Sequence, residues 1–164
     1  MSMKEQFKAA LQFSRNYSSG LFKNFESADE WVYQANPAAN HALWCMGHIA
    51  YADNFWVSLF DSEKAHSPEG YKELFGAGSE PQGDASKYPA PEKVFEYFNE
   101  RRDMLLALLD SFSEEDFAKA TTGDAAENFP TYGDVLNASV WHETLHAGQA
   151  SIASRGLNKP PLLR

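Results

Sequence analysis

Two histidines four residues apart make the most chemically specific pattern in the sequence, His142-Glu143-Thr144-Leu145-His146. On a helix, residues at this spacing lie one turn apart and about 40° apart around the axis, so both imidazoles project toward one point. Two ligands of a single metal ion need that geometry. The same five residues match the HExxH pattern of zinc peptidases, in which the histidines hold zinc and the glutamate is the base. Such enzymes take a third ligand from downstream. None of the residues after His146 is Asp, Glu or His, so the peptidase assignment fails for want of a ligand.

The third ligand must then come from upstream, and His48 is the best placed. It lies midway along a strongly apolar segment, Leu43-Trp44-Cys45-Met46-Gly47-His48-Ile49. A neutral imidazole there needs a partner to offset its desolvation. Gly47 beside it leaves room for another backbone element to approach closely. Three neutral histidines from two helices can converge in the core of a bundle, where such sites are built. They also leave coordination positions open for water or substrate.

Two further residues are catalytic candidates. Glu143 lies about 100° around the helix from His142, on the flank of the site. That position suits a supporting or interfacial carboxylate better than a general base. Tyr51 follows His48 by one turn, and its hydroxyl could reach a water at the metal. Gln149 shares the face of His146 and could orient a ligand. Cys45, one turn before His48, fits a small buried hydrophobe better than a thiolate ligand. His41 is expected near a helix end at the mouth of the site, and His66 in solvent.

Four long helices must position these groups. The first, from Met3 to about Asn24, carries Phe7, Ala10, Leu11, Ser14, Tyr17, Ser18 and Leu21 at spacings of three and four. A short link containing Asn36-Pro37 leads to the second, from about Asn40, taken as its N-cap, to Phe60. That helix is apolar on most of its circumference and so buried on several sides. Residues 61–89 form a long connection rich in Gly, Pro and Ser, with a helical turn at Tyr71–Phe75. The third helix opens at Pro91 with a stripe through Val94, Phe98, Arg102, Leu105 and Leu109. The fourth opens at Thr131, with Asp134 completing the cap, and stops before Gly156. No segment alternates with a period of two. The expected fold is all-α, a single domain over residues 1–164, and a four-helix bundle. The long connection is a crossover between helices two and three that lets them run parallel, while helices one and two are antiparallel neighbours.

Composition narrows the partners. The 164 residues carry 14 Lys and Arg against 23 Asp and Glu, a formal charge of −9. That balance argues against nucleic acid, whose phosphates require clustered cations. No apolar run is long enough for a membrane span. The single cysteine excludes an internal disulfide and any multi-cysteine metal cluster, and suits a reducing cytoplasm.

Two segments together resemble one family. LWCMGHIAYADNFW (residues 43–56) and WHETLHAGQASIASRGL (residues 141–157) are similar to the Gly-His-Ile and His-x-x-x-His-x-Gly-Gln signatures of the DinB-like superfamily of metal-binding four-helix bundles. Helix order and the long crossover match as well. The resemblance implies an up-down-down-up bundle, a divalent metal on His48, His142 and His146, and a homodimer. It also implies kinship with transferases and isomerases that use a low-molecular-weight thiol, alongside members that show no activity. Zinc or nickel is the expected ion; iron and copper also suit three imidazoles. The functional expectation is a metal-dependent enzyme that activates a thiol or water against a small electrophilic molecule. The alternative is a metal-binding stress or interaction protein without turnover.

Overall fold

The computed structural model describes residues 1–162. Seven α-helices occur among them: α1 (Met3–Phe22), α2 (Ala28–Trp31), α3 (Ala42–Phe60), α4 (Tyr71–Phe75), α5 (Pro91–Ser111), α6 (Ala125–Asn128) and α7 (Tyr132–Gly156). The long helices α1, α3, α5 and α7 correspond to the four expected from periodicity, and no strand forms among the described residues. None of the helices is long and apolar enough to cross a membrane.

Local chemistry sets the helix ends. Thr131 and Asp134 form a reciprocal capping box at the start of α7, and Ser2 with Glu5 does the same for α1. Each such cap contributes about 1 kcal/mol by satisfying amides that the helix leaves unpaired. Pro91 opens α5, where its missing N–H costs nothing. Two boundaries differ from expectation. The cap of α3 is His41, whose Nδ1 accepts from the Trp44 amide at 3.1 Å, one residue beyond Asn40. Helix α7 runs through Gly156, and the left-handed position that follows it is Asn158, at φ 60°.

Helix α3 packs against α5 and α7, and α1 packs against α7 and, less extensively, α5. The first two long helices therefore lie diagonally across the bundle, contrary to the expectation that a short link makes them neighbours. The intervening link is not a tight turn: it contains α2, whose Trp31 is buried against Phe22 and Phe25.

The core has two apolar clusters. One gathers Phe22, Leu43, Met46, Ile49, Phe75 and Phe98; the other gathers Leu11, Val57, Leu105, Leu109 and Leu136. Burying each such side chain contributes about 1.5–3 kcal/mol. On each long helix, buried charged residues fall at or close to the junction of the parts that feed the two clusters: Arg15 on α1, Asp53 on α3, Arg101 and Arg102 on α5, Glu143 on α7. A polar layer therefore crosses the middle of the bundle, and the histidine site lies beside it, across α7 from Glu143.

Candidate metal centre

Helix α3 brings His48 to the histidines of α7, and the ligand-capable atoms of His48, His142 and His146 lie within 4.8 Å of one another. Nε2 of His48 and Nε2 of His142 are 3.1 Å apart. Two nitrogens bound at about 2.0–2.1 Å to a tetrahedral ion stand about 3.3 Å apart, so this spacing fits a shared cation closely.

Hydrogen bonds fix which nitrogen of two rings faces the centre. Nδ1 of His48 lies 2.6 Å from the Phe75 carbonyl, and Nδ1 of His146 lies 2.8 Å from Gln149 Oε1. Both oxygens can only accept, so each Nδ1 carries a proton and each Nε2 keeps its lone pair for the site. Gln149 Oε1 is itself held by the Asn40 side-chain amide at 2.9 Å. This is the support that metal-binding histidines commonly have, and it sets both tautomer and ring angle.

The crossover supplies much of that support. Gly47 packs under the ring of Phe75 on α4, where an added Cβ would lie 2.3 Å from the ring. The same close approach carries the Phe75 carbonyl to His48. Trp44 stacks on His48 with centroids 4.4 Å apart and touches His146 edge-on. Its indole N–H donates at 2.9 Å to Ser79, also in the crossover. The close approach expected at Gly47 is therefore made by a short helix of the connection.

Electrostatics keeps the rings neutral. Burial pushes His142 down to about 3, assisted by His146 and His48. Burial and then His48 push His146 down to about 4, and burial lowers His48. Neutral imidazoles are the ligand form, so the set is ready for a cation near neutral pH. Three nitrogen donors, two of them with supported tautomers, fit a divalent transition metal well.

Glu143 is not brought to this centre. Its carboxylate is fully buried on the other side of α7, where Arg15 Nε reaches Oε1 at 2.8 Å and Arg102 Nη2 reaches Oε2 at 2.8 Å. Ser14 and Ser18 also donate to it. Both guanidinium groups contact Asp53 as well, Arg15 at 2.7 Å and Arg102 through two bonds at 2.9 Å. Burial lowers Arg15 to about 10, against the pull of Glu143. Burial opposes the charge of Arg102 too, but Asp53 and Glu143 outweigh it and its pKa is raised. With every lone pair occupied, Glu143 has no free face for a substrate proton. The general-base expectation gives way to the supporting carboxylate also considered.

The remaining candidates divide. Tyr51 lines a cleft of ≈ 480 Å³ that begins at His48 and His142 and is walled by Phe55, Trp56 and Ala77. Cys45 is fully buried, 3.9 Å from Gln149 Oε1, and burial pushes its thiol pKa up, which disfavours the thiolate. His41 is buried as the α3 cap, and His66 is exposed and pairs with Glu100 at 2.9 Å.

Sequence reasoning missed Arg15 as a core charge, as well as the roles of Asn40, Trp44 and Phe75. Arg102 did carry a signal, since it sits inside the apolar stripe of α5. An arginine there needs buried acids, and Asp53 and Glu143 are the acids at the same level.

Comparison with known proteins agrees with this architecture. No curated protein is significantly similar in sequence. The crystal structure of a conserved protein from Enterococcus faecalis superposes with a TM-score of 0.71 at 16% identity, covering 97% of this chain and 99% of that one. At that identity the likeness shows the fold alone. The family model of the DinB superfamily matches residues 10–150, which span α3 and both histidines of α7. The chain belongs to the DinB superfamily.

Proposed function

We propose that this protein binds one divalent metal ion through Nε2 of His48, His142 and His146 and acts as a metal-dependent enzyme on a small electrophilic molecule. The observation that carries the reading is the convergence of three neutral imidazoles, two of them with Nδ1 pinned by carbonyl oxygens. When bound, the ion supplies Lewis acidity, which turns a thiol or water into a nucleophile near neutral pH. Phe75 and Gln149 hold two of the ligand rings in register. Trp44 and Trp56 shield them, and Tyr51 stands in the adjoining cleft with a hydroxyl that can orient the attacking group. Zinc or nickel suits the donor set best; iron and copper share it.

Elemental analysis of the purified protein tests the site. About one equivalent of metal is expected in wild type and in Glu143→Gln, and none in His48→Ala. Full metal in His48→Ala would overturn the assignment. Turnover is tested on the metal-loaded protein with small electrophiles, with and without low-molecular-weight thiols. Absence of turnover in every combination would favour the non-catalytic metal-binding alternative.

The proposal includes a homodimer formed through α1 and α7. These adjacent helices expose Phe13 (72%), Trp141 (64%) and Ile152 (61%), with Leu145 among them. The exposed positions of α1 from Gln6 to Asn16 and of α7 from Asn137 to Ile152 carry no charge. In a chain of charge −9, an uncharged apolar face lets two copies meet without opposing carboxylates. Light scattering should give a dimer for wild type and a monomer for Trp141→Lys; a monomeric wild type would contradict the interface.

A further inference from the structure

We propose that the cleft beside His48 and His142 binds an uncharged, aromatic small molecule, the substrate class of the site. This rests on the metal-site reading only in that those two histidines form one wall. The cleft, at ≈ 480 Å³, is within the usual range for small-ligand pockets. Phe55, Trp56 and Tyr51 offer ring faces and edges, and Ala52 and Ala77 leave the space between them open.

None of the lining residues is Lys, Arg, Asp or Glu. The cleft at the far end of the bundle differs: it sets Phe25 and Trp31 among Lys23, Glu26, Glu92 and Glu96. Two of the neutral polar groups of the first cleft are committed within the protein. Asn54 Oδ1 accepts from the His66 amide at 2.9 Å and from Arg101 at 3.3 Å, and Ser58 donates to the Phe55 carbonyl at 2.6 Å. A carboxylate, sulfonate or phosphate entering here would lose hydration with no side-chain cation to replace it. An aromatic ring loses little hydration and gains stacking against Trp56 and Phe55.

The experiment compares two fluorescent probes on metal-free protein, N-phenyl-1-naphthylamine and 1-anilinonaphthalene-8-sulfonate. They share an arene skeleton and differ by one negative charge. Titration in about 0.5 M salt screens the overall charge of the chain. The neutral probe is expected to bind at least about tenfold more tightly than the sulfonate, a difference of about 1.4 kcal/mol. Ala77 is exposed on the cleft wall, so Ala77→Trp should weaken the neutral probe about tenfold with metal uptake intact. Ala77→Arg should instead strengthen the sulfonate. Equal or tighter sulfonate binding by wild type, or neutral binding that both substitutions leave unchanged, would overturn the proposal. If wild type takes up no metal while the probe results hold, the metal reading fails and the cleft assignment stands.

Discussion

His142 and Glu143 are consecutive in α7, yet they enter two regions built on opposite rules. The histidine site collects three neutral groups whose free lone pairs point at one another and open onto a cleft. The ionic layer collects two guanidinium groups and two carboxylates, balances their charge, and leaves no donor or acceptor of Glu143 idle. Helix geometry separates the two residues by about 100°, enough to put one in each region. The contrast teaches how to read an HExxH segment. The histidine spacing reports a shared target, whereas the role of the glutamate depends on what neighbouring helices present to it. Here α1 and α5 present arginines, and the carboxylate becomes structural.

Substitutions can break that contrast in graded steps. The largest effect should come from removing a ligand. His146→Ala should lower metal affinity on the order of a thousandfold, since each donor carries a share of a large binding energy. Isothermal titration with the metal that copurifies would measure it, and the metal-free stability should change far less. Glu143→Ala should do the reverse. Removing one partner from a buried ion cluster costs about 3–5 kcal/mol, because Arg15 and Arg102 are left undercompensated. Urea denaturation of the metal-free protein reads that loss, and the folded fraction should still bind metal.

Smaller effects probe the support around the rings. Gly47→Ala forces Phe75 to move, because the new Cβ would lie 2.3 Å from its ring. The carbonyl that holds His48 moves with it, and metal affinity should fall about 10–100-fold. Gln149→Ala should fall at the low end of that range, since it frees only His146. The gentlest probe is pH. The three histidines have folded pKa values below 6.5, with His142 at about 3 and His146 at about 4. Below about 6.5 the unfolded chain takes up protons that the folded chain refuses, so metal-free stability falls as pH falls toward about 3–4. Between about pH 7.5 and 6.5 the drop is small. Denaturation midpoints across this range should follow that trend, and His142→Phe should flatten it.

The two regions also differ in how far the sequence revealed them. The four long helices were legible from periodicity, and the α7 start from Thr131 and Asp134, because caps and stripes are local patterns. The histidine trio was legible because two members share a helix at ligand spacing and the third stands alone in an apolar segment. The ionic layer was not, since its four members come from four helices and pair only after packing. Nor did the link between Gly47 and Phe75 show its partner: a glycine marks a close approach without saying what approaches. The diagonal placement of α1 and α3 was hidden for a related reason. Link length bounds which helices can be neighbours, and the apolar surfaces of α5 and α7 decided which were.

The most direct measurement is X-ray absorption at the edge of the metal that copurifies, on wild type and Glu143→Gln. The account predicts three imidazole nitrogens at about 2.0–2.1 Å in both proteins, with indistinguishable spectra. A carboxylate ligand lost on substituting Glu143, or fewer than three imidazoles in wild type, would contradict it.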